Sequence, residues 1–316
     1  MKIIIPGGTG QVGTILARAF HQAGNEVVIL SRRPTKAAWA VMEWDAQTLG
    51  EWTTVIEGAD VVINLAGRSV NCRYNDENRR QIKESRVKST RIVGDAIARA
   101  SRPPRVWLQA STATIYAHRY DAPNDEATGI LGGSEPSAPD TWRFSVGVAT
   151  AWERAFNESA TPYTRKALLR SAVTMSPDRG GAFDILLRLV RHGLGGSAGD
   201  GLQYVSWIHD QDFIRAVSWL IERDELEGTI NLAAPNPELN SEFMSALRSA
   251  WGISFGLPAT EFMLEVGAFF LRTETELILK SRRVTPGRLL QSKFIFQFPT
   301  WAEAARNLCY RWREAN

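Results

Sequence analysis

The stretch Lys2-Ile3-Ile4-Ile5-Pro6-Gly7-Gly8-Thr9-Gly10-Gln11-Val12-Gly13 restricts the fold more than any other, because an apolar run breaks into glycines and passes directly into an amphipathic segment. That order reads as a strand, a tight turn and a helix N-terminus. Gly7 supplies the dihedrals of the turn, Gly10 lets backbone approach a pyrophosphate, and Gly13 lets the helix pack closely on the strand. Thr9, Gln11 and Val12 complete the turn. Val12, Ile15, Leu16, Ala19 and Phe20 recur at helical spacing, so the free N–H groups and the positive dipole end of this helix would face phosphates. Gly24 marks its stop.

A second strand over Glu26 to Leu30 completes a strand-helix-strand unit of the length such a turn requires. Ser31-Arg32-Arg33 follows. A carboxylate here would hold the ribose hydroxyls of NAD, whereas a small polar residue with arginines suits the 2′-phosphate of NADP, so the cofactor expected is NADP. Trp39 to Trp44 reads as a third strand with Asp45 at its end, and Thr48 to Glu57 as a helix. Asp60 to Asn64 is a short apolar strand of the parallel-sheet type, and Leu65, Ala66 and Gly67 at its carboxyl end should lie along the cofactor or form a tight turn.

Composition excludes several classes. A chain of 316 residues with a formal charge of +3 has no global electrostatic reason to bind nucleic acid or an anionic membrane. The basic face of a helix over Asp76 to Ala100 carries Arg79, Arg80, Lys83, Arg86, Lys88 and Arg91, but Glu77 and Glu84 interleave with it, as on a solvated helix. Cys72 and Cys309 are too few for a disulfide framework. His209, Asp210 and Asp212 are too few for a metal site, and His209 reads as a helix cap or a catalytic group. With no signal-peptide stretch and no run long enough to span a bilayer, the expectation is a cytoplasmic protein acting on a small molecule, with no nucleic-acid or membrane partner. The sequence leaves the oligomeric state undetermined.

A strand from Arg105 ends in Ser111-Thr112-Ala113-Thr114-Ile115-Tyr116. With the glycines at 7, 10 and 13 and with Asn64-Leu65-Ala66-Gly67, this hydroxyl cluster resembles the extended short-chain dehydrogenase/reductases. In that family a Ser or Thr polarises the substrate oxygen while a Tyr, its pKa lowered by a Lys four residues on, moves the proton. The resemblance places Thr112 at the hydroxyl position and counts Ser111 with the cofactor-binding residues. None of the six tyrosines has a lysine four residues later, and Ser145 and Ala149 fall where the Tyr and Lys belong. Tyr116, Tyr204, His209 and Glu153 are the candidates to replace the missing acid.

Arg170, Gly180-Gly181-Ala182-Phe183, Gly193-Leu194-Gly195-Gly196, Ser206-Trp207-Ile208-His209, the run from Gly228 to Pro237, Val284 to Leu290 and Phe294 to Pro299 narrow the resemblance to one atypical branch. This is the sugar-nucleotide-epimerase-like epimerase family 39U of bacteria and mitochondria, and the likeness covers nearly the whole chain. It implies NADP binding by Ser31, Arg32, Leu65, Ala66, Arg86, and Val173 or Thr174. The fold expected is an α/β doubly wound parallel sheet of the Rossmann type. Residues 1–170 would form the NADP-binding domain, its sheet completed by 227–233, and 171–316 an interleaved substrate lobe with a family-type segment over 257–310. The connection from Ala122 to Asp140 reads as a lid, and Phe262 to Leu271 as a helix. The function expected is that of an NADP-dependent oxidoreductase or epimerase on a small, sugar-like molecule, or of an NADP-binding protein that has lost catalysis with its Tyr/Lys pair.

Overall fold

A computed structural model describes residues 1–136, 138–265 and 274–315. Ile3, Ile4 and Ile5 are all fully buried because β1 (Lys2–Pro6) is an interior strand covered on both faces. The other strands are β2 (Glu26–Ser31), β3 (Ala40–Glu43), β4 (Val61–Asn64), β5 (Val106–Thr112), β6 (Arg165–Ser171), β7 (Val173–Met175), β8 (Tyr204–Val205), β9 (Trp207–His209), β10 (Gly228–Leu232) and β11 (Glu238–Leu239). Seven of them form one parallel sheet in the order β10-β6-β5-β4-β1-β2-β3. The chain reverses its direction of travel across the sheet between β1 and β4, which is the doubly wound arrangement anticipated, and the carboxyl ends of those strands open a crevice there.

Helices α1 (Gln11–Gln22), α2 (Asp76–Arg99), α3 (Asp140–Glu158), α4 (Ala182–Arg191), α5 (Asp210–Glu222) and α6 (Asn240–Trp251) cover the sheet and build a lobe beside it. Strand pleating sends Ile3 and Ile5 to the face shared with Leu16 and Phe20 of α1 and Leu220 of α5, and Ile4 to the face shared with Val93 and Ile97 of α2 and Phe156 of α3. A third core joins Phe183 and Leu187 of α4 to Phe243 and Leu247 of α6 and to Trp301 and Leu308 of the helix Trp301–Ala315. Trp301 stacks on Phe243 with ring centroids 3.9 Å apart. Each such large side chain, once buried, contributes about 1.5–3 kcal/mol.

One local expectation is corrected. The helix read over Thr48 to Glu57 is only a 3-10 turn, Glu51–Val55, because Asp45 takes the Gln47 and Thr48 N–H groups and Gly50 intervenes before Trp52 anchors the turn. The connection read as a lid is bonded to the carboxyl-terminal segment and to its own start: Asn124 N–H donates to Arg283 O at 2.7 Å, Thr285 N–H donates to Asn124 O at 3.0 Å, and Glu135 accepts from His118 N–H. The helix read over Phe262 to Leu271 lies, from residue 266 on, outside the described residues. Among the described residues no helix is long and apolar enough to cross a membrane.

Candidate functional site

The glycine turn is built by close approach of main chain. Gly7 has φ +74, and a Cβ there would stand 2.5 Å from Ala66 Cα; a Cβ on Gly13 would stand 2.4 Å from Gly8 Cα. Gly10 differs. It adopts extended backbone as the N-cap of α1, and its Cβ would meet nothing nearer than Gly7 O at 3.9 Å, so the space above it is free for a ligand. No side chain caps α1 and no acidic residue lies in its first turn, which leaves its leading N–H groups and dipole end directed at that space. Val12 packs into the core, Gly13 packs on Gly8, and the Gln11 side chain turns toward Gly181 with its Nε2 buried and without a partner among the described residues, so these three offer backbone only.

A cleft of ≈ 830 Å³ runs from this turn along the sheet edge. It gathers Gly7, Thr9, Gly10, Ser31, Arg32, Arg33, Leu65, Ala66 and Gly67, all named from the sequence for the cofactor, and adds Trp44, Asp45, Arg68 and Lys88. Ser31 Oγ donates to Arg33 O at 3.0 Å and accepts Arg33 N–H at 3.2 Å, so its hydroxyl shapes the turn that presents the arginines. The guanidinium groups of Arg32 and Arg33 have no hydrogen-bond or ion-pair partner among the described residues. Two unpaired cations at one cleft end, and uncapped N–H groups at the other, suit a ligand with phosphates at both places.

A second cavity, of ≈ 510 Å³, begins where the first ends. Their junction is Gly67, where a Cβ would lie 3.2 Å from the Arg86 side chain. Arg86 donates to Arg68 O and Ile82 O at 2.9 and 3.0 Å and lies over the Trp152 ring at 5.1 Å, with no carboxylate beside it among the described residues. Burial pushes its guanidinium down to about 10, opposed by Tyr74. Thr112 lines the cavity at the end of β5; its Oγ1 accepts Thr114 N–H at 3.2 Å and keeps its own hydrogen to offer. Ser145, Val148, Ala149 and Trp152 line it from one face of α3, as their spacing requires. Ile185, Leu186 and Leu189 of α4 and Phe243 and Met244 of α6 make the far wall apolar.

The carboxyl-terminal segment completes this cavity with groups that the sequence reading did not single out. Ser145 Oγ donates to Glu276 Oε2 at 2.5 Å, Arg282 Nε donates to Thr114 Oγ1 at 3.1 Å, and Lys280 Nζ donates to Thr114 O at 2.7 Å. Burial pushes the Glu276 carboxyl up, opposed by Arg282, Ser145 and Lys280; it pushes the Lys280 ammonium down to about 8, helped by Arg282. Burial, with Glu276 beside it, raises the Tyr74 phenol to about 12. The only trace of this cluster in the sequence is a run of charges between 274 and 283 within the family-type segment read over 257–310.

Other named residues are placed elsewhere. Ser111, one residue from Thr112, faces the opposite side of the sheet and donates to Glu153 Oε1 at 2.6 Å. Tyr116 is buried, donates to Asn231 Oδ1 at 2.9 Å, accepts from Arg170 Nη1 at 3.0 Å and lines neither cavity. His209 caps α5: its Nδ1 accepts Gln211 N–H at 3.1 Å, its Nε2–H meets Asn307 Oδ1 at 3.0 Å, and its ring stacks on Phe298. Burial holds it below the ordinary histidine range, and it lies at neither cavity. Of the Val173 and Thr174 pair, Val173 lines the second cavity while Thr174 is buried with no partner for its Oγ1 among the described residues. Among the described residues no group of three or more His, Cys, Asp or Glu could hold a metal ion.

A structural Tyr116 has a measurable consequence. Tyr116→Phe should lose about 1.5–3 kcal/mol of stability in urea denaturation, the value of a buried hydrogen bond with a charged partner, and leave dinucleotide affinity within about twofold. A variant of unchanged stability that binds dinucleotide about tenfold more weakly would return Tyr116 to the site.

Residues 3–233 match the NAD dependent epimerase/dehydratase family, and 259–308 match a domain of unknown function, DUF1731. The chain is similar to the Epimerase family protein SDR39U1 of Homo sapiens, 28% identical over 311 residues that span 98% of this chain and 99% of that one. It is similar also to the chloroplastic SDR39U1 homolog of Arabidopsis thaliana, 27% identical over 97% of this chain and 86% of that one. The crystal structure of the human protein with NADPH superposes with a TM-score of 0.85, covering 98% of this chain and 99% of that chain.

Proposed function

The chain belongs to the NAD dependent epimerase/dehydratase family, as an atypical short-chain dehydrogenase/reductase, and from that premise we propose that it binds NADP and acts as an oxidoreductase or epimerase on a small carbonyl or alcohol compound. One observation carries the reading: the uncapped N-terminus of α1 and the unpaired Arg32 and Arg33 share a cleft that leads past Arg86 into a cavity with Thr112 at its mouth. The residues fit the group. The diphosphate takes the space over Gly10 that no Cβ fills, and the arginines take the 2′-phosphate. Arg86, buried without a carboxylate, supplies positive charge where the two cavities meet.

When bound, NADP gives or takes a hydride at a carbon of the substrate. Thr112 donates its free hydroxyl hydrogen to the reacting oxygen and fixes its position. The apolar wall from α4 and α6 excludes water and accepts an apolar body, which weighs against the sugar-like substrate expected from the sequence. The other reading, a dinucleotide-binding protein without catalysis, draws on Ser145 and Ala149 standing where a proton-donating Tyr and its Lys would be.

The test is binding of NADPH against NADH, with Arg32→Ala/Arg33→Ala beside the wild type. Loss of two charge-assisted contacts, at about 1.5 kcal/mol or more each, should weaken NADPH by at least about 100-fold and leave NADH nearly unchanged. A wild type that prefers NADH refutes the NADP assignment. Transfer of deuterium from labelled NADPH to a carbonyl probe separates the catalytic reading from the silent one.

A further inference from the structure

We propose that Ser145 and Glu276 form the proton-transfer pair of the second cavity, doing there for an apolar carbonyl compound what the absent tyrosine and lysine do elsewhere in the fold. The inference rests on the oxidoreductase reading above. Ser145 occupies a cavity-facing position of α3 one helical turn before Ala149, so its hydroxyl is presented to a substrate oxygen from the side where a tyrosine would reach. Its Oγ meets Glu276 Oε2 at 2.5 Å. Glu276 is 2% exposed, and its other oxygen, Oε1, has no hydrogen-bond partner among the described residues and lies 3.9 Å from Arg282 Nη2. A carboxylate so deeply buried and held by its cations only at a distance is costly, whereas a carboxylic acid can donate from Oε2 to Ser145 Oγ and free the serine hydrogen for the cavity. The segment is held in place, since Glu274 Oε1 accepts Tyr74 N–H at 2.7 Å and Arg282 Nη2 donates to Glu276 O at 3.2 Å.

The step balances. In reduction the carbonyl carbon gains the hydride of the dihydronicotinamide, which leaves as NADP⁺, and the C–O π pair moves onto oxygen. That oxygen takes the Ser145 proton, Ser145 takes the proton from Glu276 Oε2, and solvent reprotonates the carboxylate. Oxidation of the alcohol runs the same transfers backwards. The groups facing Glu276 are Arg282, Lys280, Glu274, Tyr74 and Ser145; burial favours its neutral form, Glu274 adds to that, and Arg282, Ser145 and Lys280 oppose it. Reduction therefore needs the protonated pair, and its rate should fall as pH rises through the elevated carboxyl pKa.

The experiment compares full-length wild type with Glu276→Gln, Glu276→Asp and Ser145→Ala. Single-turnover NADPH oxidation is followed with 9,10-phenanthrenequinone, 4-nitrobenzaldehyde and hexanal across the pH range, together with NADPH affinity and the infrared carbonyl stretch of a protonated carboxyl. In support, Glu276→Gln lowers the rate about 100-fold, flattens the alkaline limb and removes the infrared band, with NADPH affinity within about twofold. Glu276→Asp restores part of the rate with a shifted limb. Should Glu276→Gln fail to fold, Ser145→Ala carries the test and must lose at least about tenfold. Variants that keep the wild-type rate and pH profile, or a wild type without the protonated-carboxyl band at neutral pH, overturn the pair while leaving the oxidoreductase reading intact. A wild type that binds NADPH and is silent with every probe overturns that reading and the pair with it.

Discussion

Gly10→Asp is expected to weaken NADPH binding by at least about 300-fold in a protein that melts no lower than the wild type, because the residue faces a ligand and no part of the fold. Its backbone, at φ −74 and ψ 171, is extended and open to any residue, and a Cβ there approaches nothing closer than 3.9 Å. Aspartate is also among the preferred N-caps, worth a few tenths of a kcal/mol over glycine, since its carboxylate accepts the leading N–H groups that no side chain now takes. Those are the donors a diphosphate needs, so the same carboxylate that steadies α1 occupies and repels the ligand's place. Loss of two or three charge-assisted hydrogen bonds, at about 1.5–3 kcal/mol each, sets the size of the effect. Gly13→Ala is the contrast: its Cβ would stand 2.4 Å from Gly8 Cα, where only backbone could yield, so fold and binding should fail together. Calorimetric titration with thermal melting separates the two, and a folded Gly10→Asp protein with wild-type NADPH affinity would move the diphosphate off this turn.

The parallel sheet was legible because buried interior strands must be apolar throughout, as Ile3 to Ile5, Val27 to Leu30 and Val61 to Ile63 are, and because the glycines between them mark where backbone meets backbone. What periodicity cannot show is which of two adjacent hydroxyls faces a cavity. Ser111 and Thr112 are equivalent in composition, and a pleat sends one to Glu153 and the other to the second cavity. Tyr116 looked available for the same reason, until Arg170 and Asn231, distant in sequence, claimed its hydroxyl. The polar end of the second cavity was the least legible. Glu276 lies 131 residues from Ser145, and nothing local to residues 274–282 distinguishes a charged surface loop from a segment folded back over the crevice. His209 was read as cap or catalyst, and the short β9 leading directly into α5 makes it the cap.

Arg170→Ala should lower stability by about 3–5 kcal/mol, because it leaves a buried carboxylate without its cation. Arg170 meets Glu153 through two parallel bonds, Nε to Oε1 at 2.9 Å and Nη2 to Oε2 at 2.8 Å, with the two side chains 11% and 10% exposed. Its third arm, Nη1, holds the Tyr116 hydroxyl, which passes the network on to Asn231 of β10, while Ser111 ties it to β5. Three strands and α3 thus share one ion pair. For a chain of this size the loss corresponds to a melting temperature lower by roughly 5–10 °C. Lysine should recover little, since an ammonium cannot span both carboxylate oxygens and reach the phenol as well. Arg170→Met with Glu153→Leu should restore more than half of the loss, because removing both charges removes the desolvation that made the single change severe. NADPH affinity should stay within about threefold in each folded variant, as no atom of the pair lines either cavity. A melting temperature for Arg170→Ala within about 2 °C of wild type would mean that water reaches Glu153, and that the strands are joined by packing alone.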